Sequence, residues 1–240
     1  MLKNKTEFKH NMTGAQTVLG WCYLPVHIFI LPIILPVLAA YSDTQLDTMT
    51  LNIVYYAIGI LFVMALEIKY LRRDFDNLLD RPGWTILTLI QGYFINMVLS
   101  YAVVLVLETI ISSVSNPNNN EVSNLLQENS GSMFGLAVFI GPIVEEVLFR
   151  GAVFGSIRKK SRVVAYIVSI ALFSLYHVWS YAIAYGDASL LIYAVQYIPV
   201  SFTLAWIYER TSSIWASIFF HMGTNAVSLI AMEMLGNMLG

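Results

Sequence analysis

Charged residues are scarce in this chain. Lys, Arg, Asp and Glu together make up 12% of its 240 residues, whereas hydrophobic residues make up 58%. Because a soluble domain usually carries about 25% charged residues, the composition excludes an ordinary soluble protein and indicates an integral membrane protein. The sequence also lacks a basic domain that could neutralise a phosphate backbone, so we expect no nucleic-acid partner.

Cysteine is almost absent as well. Cys22 is the single cysteine of the sequence, so no internal disulfide can form. It lies in an apolar run, where a cysteine usually serves as a small buried hydrophobic residue and not as a catalytic thiol. The sequence shows no internal repeat and no separate soluble domain.

Long apolar runs are abundant, in contrast. A spanning helix needs about 20 mostly apolar residues, and seven segments meet this requirement. We therefore predict an all-α membrane protein, a polytopic bundle of about seven transmembrane helices with the active site in the bundle interior. The predicted spans are residues 18–41, 50–70, 84–108, 133–156, 163–185, 189–208 and 212–235.

The Lys and Arg residues are distributed unevenly along these spans. Twelve of the thirteen fall on one side of a seven-span arrangement, namely Lys3, Lys5, Lys9, Lys69, Arg72, Arg73, Arg81, Arg158, Lys159, Lys160, Arg162 and Arg210. The loops of the other side carry acidic residues instead: Asp43, Asp47, Glu121, Glu128 and Asp187. By the positive-inside rule, we expect a multi-pass protein of the cell membrane with a cytoplasmic N-terminus and an external C-terminus.

One polar segment separates the third and fourth predicted spans, at residues 109–132. Its Asn-rich run, 116–120, predicts a turn or a disordered stretch. We predict that residues 122–126 form a short helix on the membrane surface.

Several ionisable residues lie inside the predicted spans. Glu145, Glu146 and Arg150 share the fourth span, and His177 and His221 occupy the fifth and seventh. Each charged residue at the bilayer centre costs roughly 2.5–3.5 kcal/mol on insertion scales. A chain that keeps them there is expected to use them for chemistry or transport.

Helical spacing relates these residues to one another. Glu146 and Arg150 are four apart and can pair on one helix face, whereas Glu145 lies about 100° away and is the freer carboxylate. The alternative is a structural Glu–Arg pair at a helix end, with both acids solvated. The same spacing joins Phe173 to His177, and His221 to Asn225, and all three motifs fall at a similar depth. His27 has no such partner, and we interpret it as a structural core residue.

Two glycines follow this acidic motif. Gly151 and Gly155 are four residues apart, which predicts close helix packing at this face.

Taken together, the three motifs resemble those of the CPBP family, which comprises CAAX prenyl proteases and bacteriocin-processing or bacteriocin-immunity proteins. The motifs are Glu-Glu-x-x-x-Arg from Glu145, Phe-x-x-x-His from Phe173 and His-x-x-x-Asn from His221. The resemblance covers roughly residues 133–230. It implies that residues 133–240 form a four-helix catalytic core. Residues 1–132, with three predicted transmembrane helices and a polar loop, carry no family signal and complete the one integral membrane domain.

The resemblance also implies roles for these residues. Glu145 is expected to activate water with the assistance of His177. His221 and Asn225 are expected to hold the developing oxyanion. Glu146, Arg150 and Phe173 are expected to support the catalytic residues.

Metal dependence is left open by the motifs. The chain lacks the His-Glu-x-x-His pattern of soluble zinc proteases, and we expect no required cofactor. Zinc is kept as the alternative, with Glu145, His177 and His221 as its ligands.

Three classes of function therefore compete. The first is an intramembrane endopeptidase that hydrolyses a peptide or a membrane-associated protein segment with a glutamate-activated water. The second is a non-catalytic bacteriocin-immunity or regulatory membrane protein of the same family, because a shared fold does not guarantee shared chemistry. The third is a proton-coupled transporter, which lacks the support of repeat symmetry or paired broken helices. The sequence identifies neither the substrate nor the oligomeric state.

Overall fold

The computed structural model describes residues 8–41, 46–111 and 116–239, and within these ranges all regular secondary structure is helical. The described ranges contain nine helices: α1 (Gly14–Tyr41), α2 (Thr48–Asp80), α3 (Pro82–Ile110), α4 (Pro117–Glu128), α5 (Ser130–Arg158), α6 (Arg162–Tyr176), α7 (Trp179–Ala184), α8 (Ala188–Thr211) and α9 (Ile214–Leu239). Lys3, Lys5 and Asp43, used above for the orientation, lie outside the described residues.

The all-α polytopic fold predicted from the sequence is confirmed. In the described part of the chain, six helices are long and apolar enough to span a membrane, and α6 is apolar but only 15 residues long. The chain is therefore a multi-pass membrane protein, with about seven helices in the bundle.

The second span is longer than predicted. Helix α2 has 33 residues, which corresponds to about 50 Å at 1.5 Å per residue, whereas the hydrocarbon core of a bilayer is about 30 Å thick. Its last part, Ile68–Asp80, is amphipathic and buries Tyr70, Leu71 and Asp74. The prediction ended at residue 70 because apolar content falls there, yet the helix continues on an apolar stripe packed against the protein.

Asp74 connects α2 to the last helix, α9. Its Oδ2 accepts a hydrogen bond from the backbone N–H of Ile214, at the start of α9, and its Oδ1 accepts one from Asn11 Nδ2 at 3.2 Å. A carboxylate at a helix N-terminus satisfies free N–H groups and interacts favourably with the helix dipole. The buried acid thus joins α2, α9 and the N-terminal segment.

The predicted span 163–185 is wrong as one continuous helix. Helix α6 ends at Tyr176, His177 is its C-cap, and α7 begins only at Trp179. No Gly or Pro marks this break in the sequence. The His177 side chain makes a local hydrogen bond here, because its Nδ1 lies 2.8 Å from the carbonyl oxygen of Phe173. Side chains that bond nearby backbone groups compete with a regular helix.

The loop prediction for 116–120 is also wrong. Helix α4 begins at Pro117, with Asn116 as its N-cap, and Asn116 Oδ1 accepts a hydrogen bond from the N–H of Asn118 at 3.0 Å. Asn at the N-cap and Pro at the first helical position are a start signal, which the Asn-rich composition obscured. The expected short helix at 122–126 is part of α4.

Small residues allow α1 and the N-terminal segment to approach α5 closely. A Cβ on Gly20 would lie 2.5 Å from Cβ of Ala152, and one on Gly151 would lie 2.9 Å from Met12 Cε. A Cβ on Gly155 would collide with the ring of His10. Close packing at the face of Gly151 and Gly155 is thus present, although the partner of Gly155 is the segment before α1 and not a helix.

Candidate active site

The acidic pair lies in the middle of α5, in the most buried part of the bundle. Glu145 is 5% exposed, and Glu146 and Arg150 are fully buried. The helix remains continuous through this segment, because an α-helical stretch ends at Glu146 and a π-helical stretch runs from Val147 to Phe154. The alternative of a solvated Glu–Arg pair at a helix end is therefore wrong.

Glu146 is held by three side chains. Its Oε1 lies 3.1 Å from Arg150 Nη1 and 3.0 Å from His221 Nδ1, and its Oε2 accepts a hydrogen bond from Ser217 Oγ at 2.6 Å. The predicted Glu146–Arg150 pair is thus present. With both carboxylate oxygens occupied, Glu146 is suited to orienting His221 and not to binding a further group.

Arg150 is enclosed on its remaining sides. Its Nη2 donates to the backbone carbonyl and to Oγ of Ser201, at 3.1 and 3.2 Å. Its Cζ lies 4.3 Å from the centre of the Phe173 ring, within the range of a cation–π contact. Phe173 therefore supports the site by covering the buried guanidinium.

Glu145 has a different environment from its neighbour. Its Oε1 accepts a hydrogen bond from the hydroxyl of Tyr56 at 3.1 Å, and its Oε2 lies 3.9 Å from Nε2 of His221. One turn earlier, Gly141 leaves room for this arrangement, because a Cβ there would lie 3.3 Å from the Tyr56 ring and 3.5 Å from Glu145 Oε1. Oε2 is thus the oxygen that remains available for chemistry.

The two histidines are oriented by their Nδ1 atoms. The Nδ1 of His177 donates to the Phe173 carbonyl, and its ring stacks on Tyr197 with 4.3 Å between ring centres. This leaves Nε2 as the free nitrogen of His177. The Nδ1 of His221 bonds Glu146, so its Nε2 is directed towards Glu145.

Asn225 lies one turn beyond His221 on α9. Its Nδ2 donates to the backbone carbonyl of Ala137 at 2.8 Å. Ala137 belongs to a π-helical stretch, Gly135–Ile140, and π-helical turns leave carbonyl groups without their usual partners. The amide has a second N–H on the same nitrogen, which can serve a ligand in the cavity.

One cavity brings the four predicted catalytic residues together. It has a volume of about 320 Å³, and Glu145, His177, His221 and Asn225 all line it. Most of its other polar lining residues carry amide or hydroxyl groups: Tyr56, Asn96, Ser100, Asn118, Asn119, Gln196, Tyr197, Thr224 and Ser228. The arrangement can hold a polar, uncharged chain against a carboxylate and two imidazoles.

A second cavity of about 360 Å³ adjoins the first. The two share Tyr56, Asn118 and His177 as lining residues. The second cavity extends between α1, α2 and α7 to Glu121 on α4. The second cavity therefore lies between the site and the end of the bundle at which the acidic loop residues lie.

His27 lies outside the cavity and is fully buried. Its ring stacks on Tyr55, with 4.6 Å between centres, and its Nε2 lies 3.5 Å from the hydroxyl of Tyr176. This environment agrees with its interpretation as a structural core residue.

Three contributors to the site were missed in the sequence. Ser217 could have been found, because it precedes His221 by four residues on the same helix face. Ser201 and Tyr56 could not, since Ser201 is one of many small polar residues on α8 and Tyr56 lies on a helix without a recognisable motif. Both reach the site only through tertiary packing.

The three possible zinc ligands, Glu145, His177 and His221, are the next feature of the site. Within the described residues, no three His, Cys, Asp or Glu side chains are grouped closely enough to hold a metal ion. His221 and Glu145 approach each other, and the Nε2 atoms of His221 and His177 are both free because Glu146 and the Phe173 carbonyl hold their Nδ1 atoms; among the described residues, however, no third ligand lies close enough to join such a pair. The set Glu145, His177 and His221 does not form a metal site as arranged here, so we derive no step through a metal.

Comparisons with known proteins show the family to which the chain belongs. Residues 127–227 match the family model described as type II CAAX prenyl endopeptidase Rce1-like. The UPF0177 protein YxdF of Lactococcus lactis subsp. lactis (strain IL1403) is 30% identical over 184 residues, which cover 73% of this chain and 92% of YxdF. The chain belongs to the CPBP family. A further relative of this CPBP protein is YdiL of Bacillus subtilis (strain 168), provisionally named a membrane peptidase; the two are 28% identical over 163 residues, 67% of this chain and 62% of YdiL.

No solved structure matches this CPBP chain. The family assignment supports protease activity in general, with a peptide or protein as substrate and the lipid bilayer as surroundings. All four predicted catalytic residues lie within the matched region, whereas Tyr56 and Asn96 of the cavity wall lie before it.

Proposed function

We propose that this chain is an intramembrane endopeptidase in which Glu145 activates the attacking water. The observation that carries this proposal is the cavity lined jointly by Glu145, His177, His221 and Asn225. Peptide hydrolysis needs a base for water and donors for the tetrahedral oxyanion, and both kinds of group are present.

Glu145 and Glu146 have different roles in this mechanism. Glu145 Oε2 accepts a proton from water, and the oxygen of that water attacks the carbonyl carbon of the scissile bond. Tyr56 holds Oε1, which keeps the carboxylate oriented. Glu146 holds the His221 ring through Nδ1, so that Nε2 faces the reacting atoms.

The oxyanion is held by His221 and Asn225. When His221 carries a proton on both nitrogens, it donates from Nδ1 to Glu146 and from Nε2 into the cavity. Asn225 donates with the N–H that Ala137 does not occupy. As the tetrahedral intermediate breaks down, the C–N bond breaks and the proton held by Glu145 passes to the leaving amine, with the free Nε2 of His177 available as a relay.

The substrate is proposed to enter from the external side of the membrane. The adjoining cavity leads from Tyr56 to Glu121 on α4, which belongs to the acidic loops. At the opposite end, Lys9, Arg81 and Arg210 surround a small separate cavity. The positive-inside rule assigns that cationic end to the cytoplasm.

The test uses purified protein in detergent and a library of acetylated peptides, with mass spectrometry of the products. We expect cleavage by the wild type and its loss in Glu145→Ala. Cleavage that persists unchanged in Glu145→Ala contradicts the proposal. A parallel reaction with a strong zinc chelator separates the two mechanisms, because a metal-free reaction keeps its rate and a zinc-dependent one loses it.

The immunity or regulatory alternative makes a different prediction in cells. If the chain acts by binding alone, its biological effect survives the double substitution Glu145→Gln and His177→Ala. If it acts as a protease, the effect is lost, together with the peptides that wild-type cells release and variant cells do not.

A further inference from the structure

Asn96 is an unexpected polar residue on α3. Its exposed neighbours Tyr93, Phe94, Met97 and Val98 are apolar or aromatic, as expected for a helix that faces lipid. Asn96 instead lines the cavity that contains Glu145, and Ser100, one helical turn later, lines the same wall. The polar pair therefore forms a stripe on α3 that faces the site.

The side-chain oxygen of Asn96 lacks a partner. In the part of the chain that the structure describes, Asn96 Oδ1 is buried and accepts no hydrogen bond. Leaving a buried acceptor unsatisfied costs about 1–3 kcal/mol, and a leucine of similar size would avoid this cost. Because Asn96 also lines the cavity, rotation of its side-chain amide about χ2 presents this acceptor to a ligand there.

The cavity indicates the chemistry of that ligand. Its lining residues include amides and hydroxyls but no Lys or Arg among the residues described. A neutral amide oxygen does not select a charged group; it accepts a hydrogen bond from a neutral donor such as a peptide N–H. A backbone N–H is present in every peptide, so such a contact positions the chain without reading its sequence.

We propose that Asn96, with Ser100 beside it, forms a subsite that binds the backbone of the substrate peptide, with Asn96 Oδ1 accepting a substrate N–H. The inference rests on the proposed function and extends it to a helix outside the region matched by the family model. The subsite places an extended peptide between α3 and the face of α5 that carries Glu145.

The first measurement is thermal stability in detergent. Asn96→Leu removes the unsatisfied acceptor and leaves a similar volume, so we expect an unchanged or higher Tm. Met97→Leu, on the lipid-facing side of the same helix, is the control. A Tm that falls by several degrees in Asn96→Leu alone shows a structural role and overturns the inference, whether or not the protein cleaves peptides.

The second measurement is peptide binding without turnover. The Glu145→Gln protein is incubated with a library of acetylated, amidated hexapeptides, and retained peptides are quantified by mass spectrometry. We expect the best-retained peptide to bind about tenfold more weakly when Asn96→Leu is added, which corresponds to the loss of one hydrogen bond. Equal binding, or no retention by the Glu145→Gln protein, overturns the subsite.

Replacing single N–H groups of the peptide backbone by ester oxygens identifies the N–H that binds Asn96. The best-retained peptide is remade with each N–H in turn replaced by an ester oxygen. One ester should weaken binding to the protein that keeps Asn96 and have no effect on binding to the Asn96→Leu protein; an identical ester effect in both proteins contradicts the contact. If the wild type cleaves no peptide and these binding differences are nevertheless found, the proposed hydrolysis is wrong and the subsite is still supported.

Discussion

Glu145 and Glu146 are adjacent in sequence but have different surroundings. Glu146 is bound by Arg150, His221 and Ser217, whereas Glu145 receives one hydrogen bond, from Tyr56, and faces the cavity. Neighbouring positions on a helix point about 100° apart, which is enough to direct one side chain into a network and the other into open space. Different environments are how proteins assign different roles to two carboxylates.

Tyr56→Phe tests the orientation of Glu145. The substitution removes the hydrogen bond to Oε1 and leaves the ring in place, so we expect a fall in kcat of roughly tenfold, the order of one hydrogen bond, with KM and Tm little changed. Peptide cleavage kinetics measure this. Tyr55→Phe is the matched control, since the Tyr55 hydroxyl bonds the His27 carbonyl and Tyr176 and not Glu145. Equal effects of both substitutions would argue against a positioning role for Tyr56.

Arg150→Ala tests the buried ion pair. Removing one partner of such a pair typically costs about 3–5 kcal/mol, because the other charge is left uncompensated, so we expect a low folded yield and a lower Tm. Arg162→Ala is the control: Arg162 also binds a glutamate, Glu209, but its side chain is 62% exposed, and exposed pairs contribute about 0–1 kcal/mol. A fully stable Arg150→Ala protein would contradict the assignment of Glu146 and Arg150 to structure.

Among the helices, irregular turns position the site. Two of the four π-helical stretches in the described residues, Gly135–Ile140 and Val147–Phe154, lie on either side of the acidic pair, and α6 ends before His177, its C-cap. Such irregularities are frequent at functional sites. The existence of the spans was predictable from long apolar runs, but these irregular turns were not, because they depend on contacts with other helices.

The N-terminal segment preceding α1 packs against α5 through His10. The pKa of His10 is lowered to about 4, chiefly because burial disfavours the charged ring; the hydrogen bond to Gly151 opposes this, and nearby Lys159 adds to it. The unfolded state binds the proton more readily, with a usual pKa near 6.5. The neutral ring therefore contributes its full stability above about pH 6.5, and this contribution is lost as the pH falls towards 4.

His10→Leu tests this dependence. The variant keeps an apolar group of moderate size near Gly155 but cannot be protonated. We expect the Tm of the wild type to fall more steeply than that of His10→Leu between pH 7 and pH 4.5, measured in the same detergent. Parallel Tm curves for the two proteins would show that His10 does not couple its protonation to folding.

At the scale of the whole molecule, the distribution of charged residues and the positions of the cavities indicate one orientation of the protein in the membrane. Arg158 and Arg162 bind Glu209, and Lys9, Arg81 and Arg210 meet at one end of the bundle. The cavities that adjoin Glu145 extend to the other end. The orientation itself stays a prediction, based on the positive-inside rule.

Cysteine labelling on intact cells tests the orientation. Cys22 is first replaced by Ser, and one exposed position is then changed, either Asp187→Cys or Lys160→Cys. We expect a membrane-impermeant maleimide to label the variant at 187 and to label the one at 160 only after the cells are lysed. The reverse pattern would place the cavity mouth in the cytoplasm.

The fold class and the four candidate catalytic residues that line the cavity were predictable from the sequence, for two different physical reasons. Apolar runs are set by the bilayer thickness, and ionisable residues inside them are conspicuous because they are costly. Tyr56 and Asn96 escaped notice because neither residue type is unusual in a membrane helix. Their importance arises only from tertiary packing, which places α2 against α5 and α3 against α8 and α9.

The most direct test of the account is the rate at which a peptide from the library is cleaved by three proteins measured side by side. They are the wild type, Glu145→Gln and Glu121→Gln, in which the second carboxylate lines only the adjoining cavities. A general base contributes about 10²–10⁴-fold, so we predict a loss of that size in Glu145→Gln, with normal folding, and a rate close to wild type in Glu121→Gln. Cleavage by Glu145→Gln at the wild-type rate would contradict the claim that Glu145 activates the water.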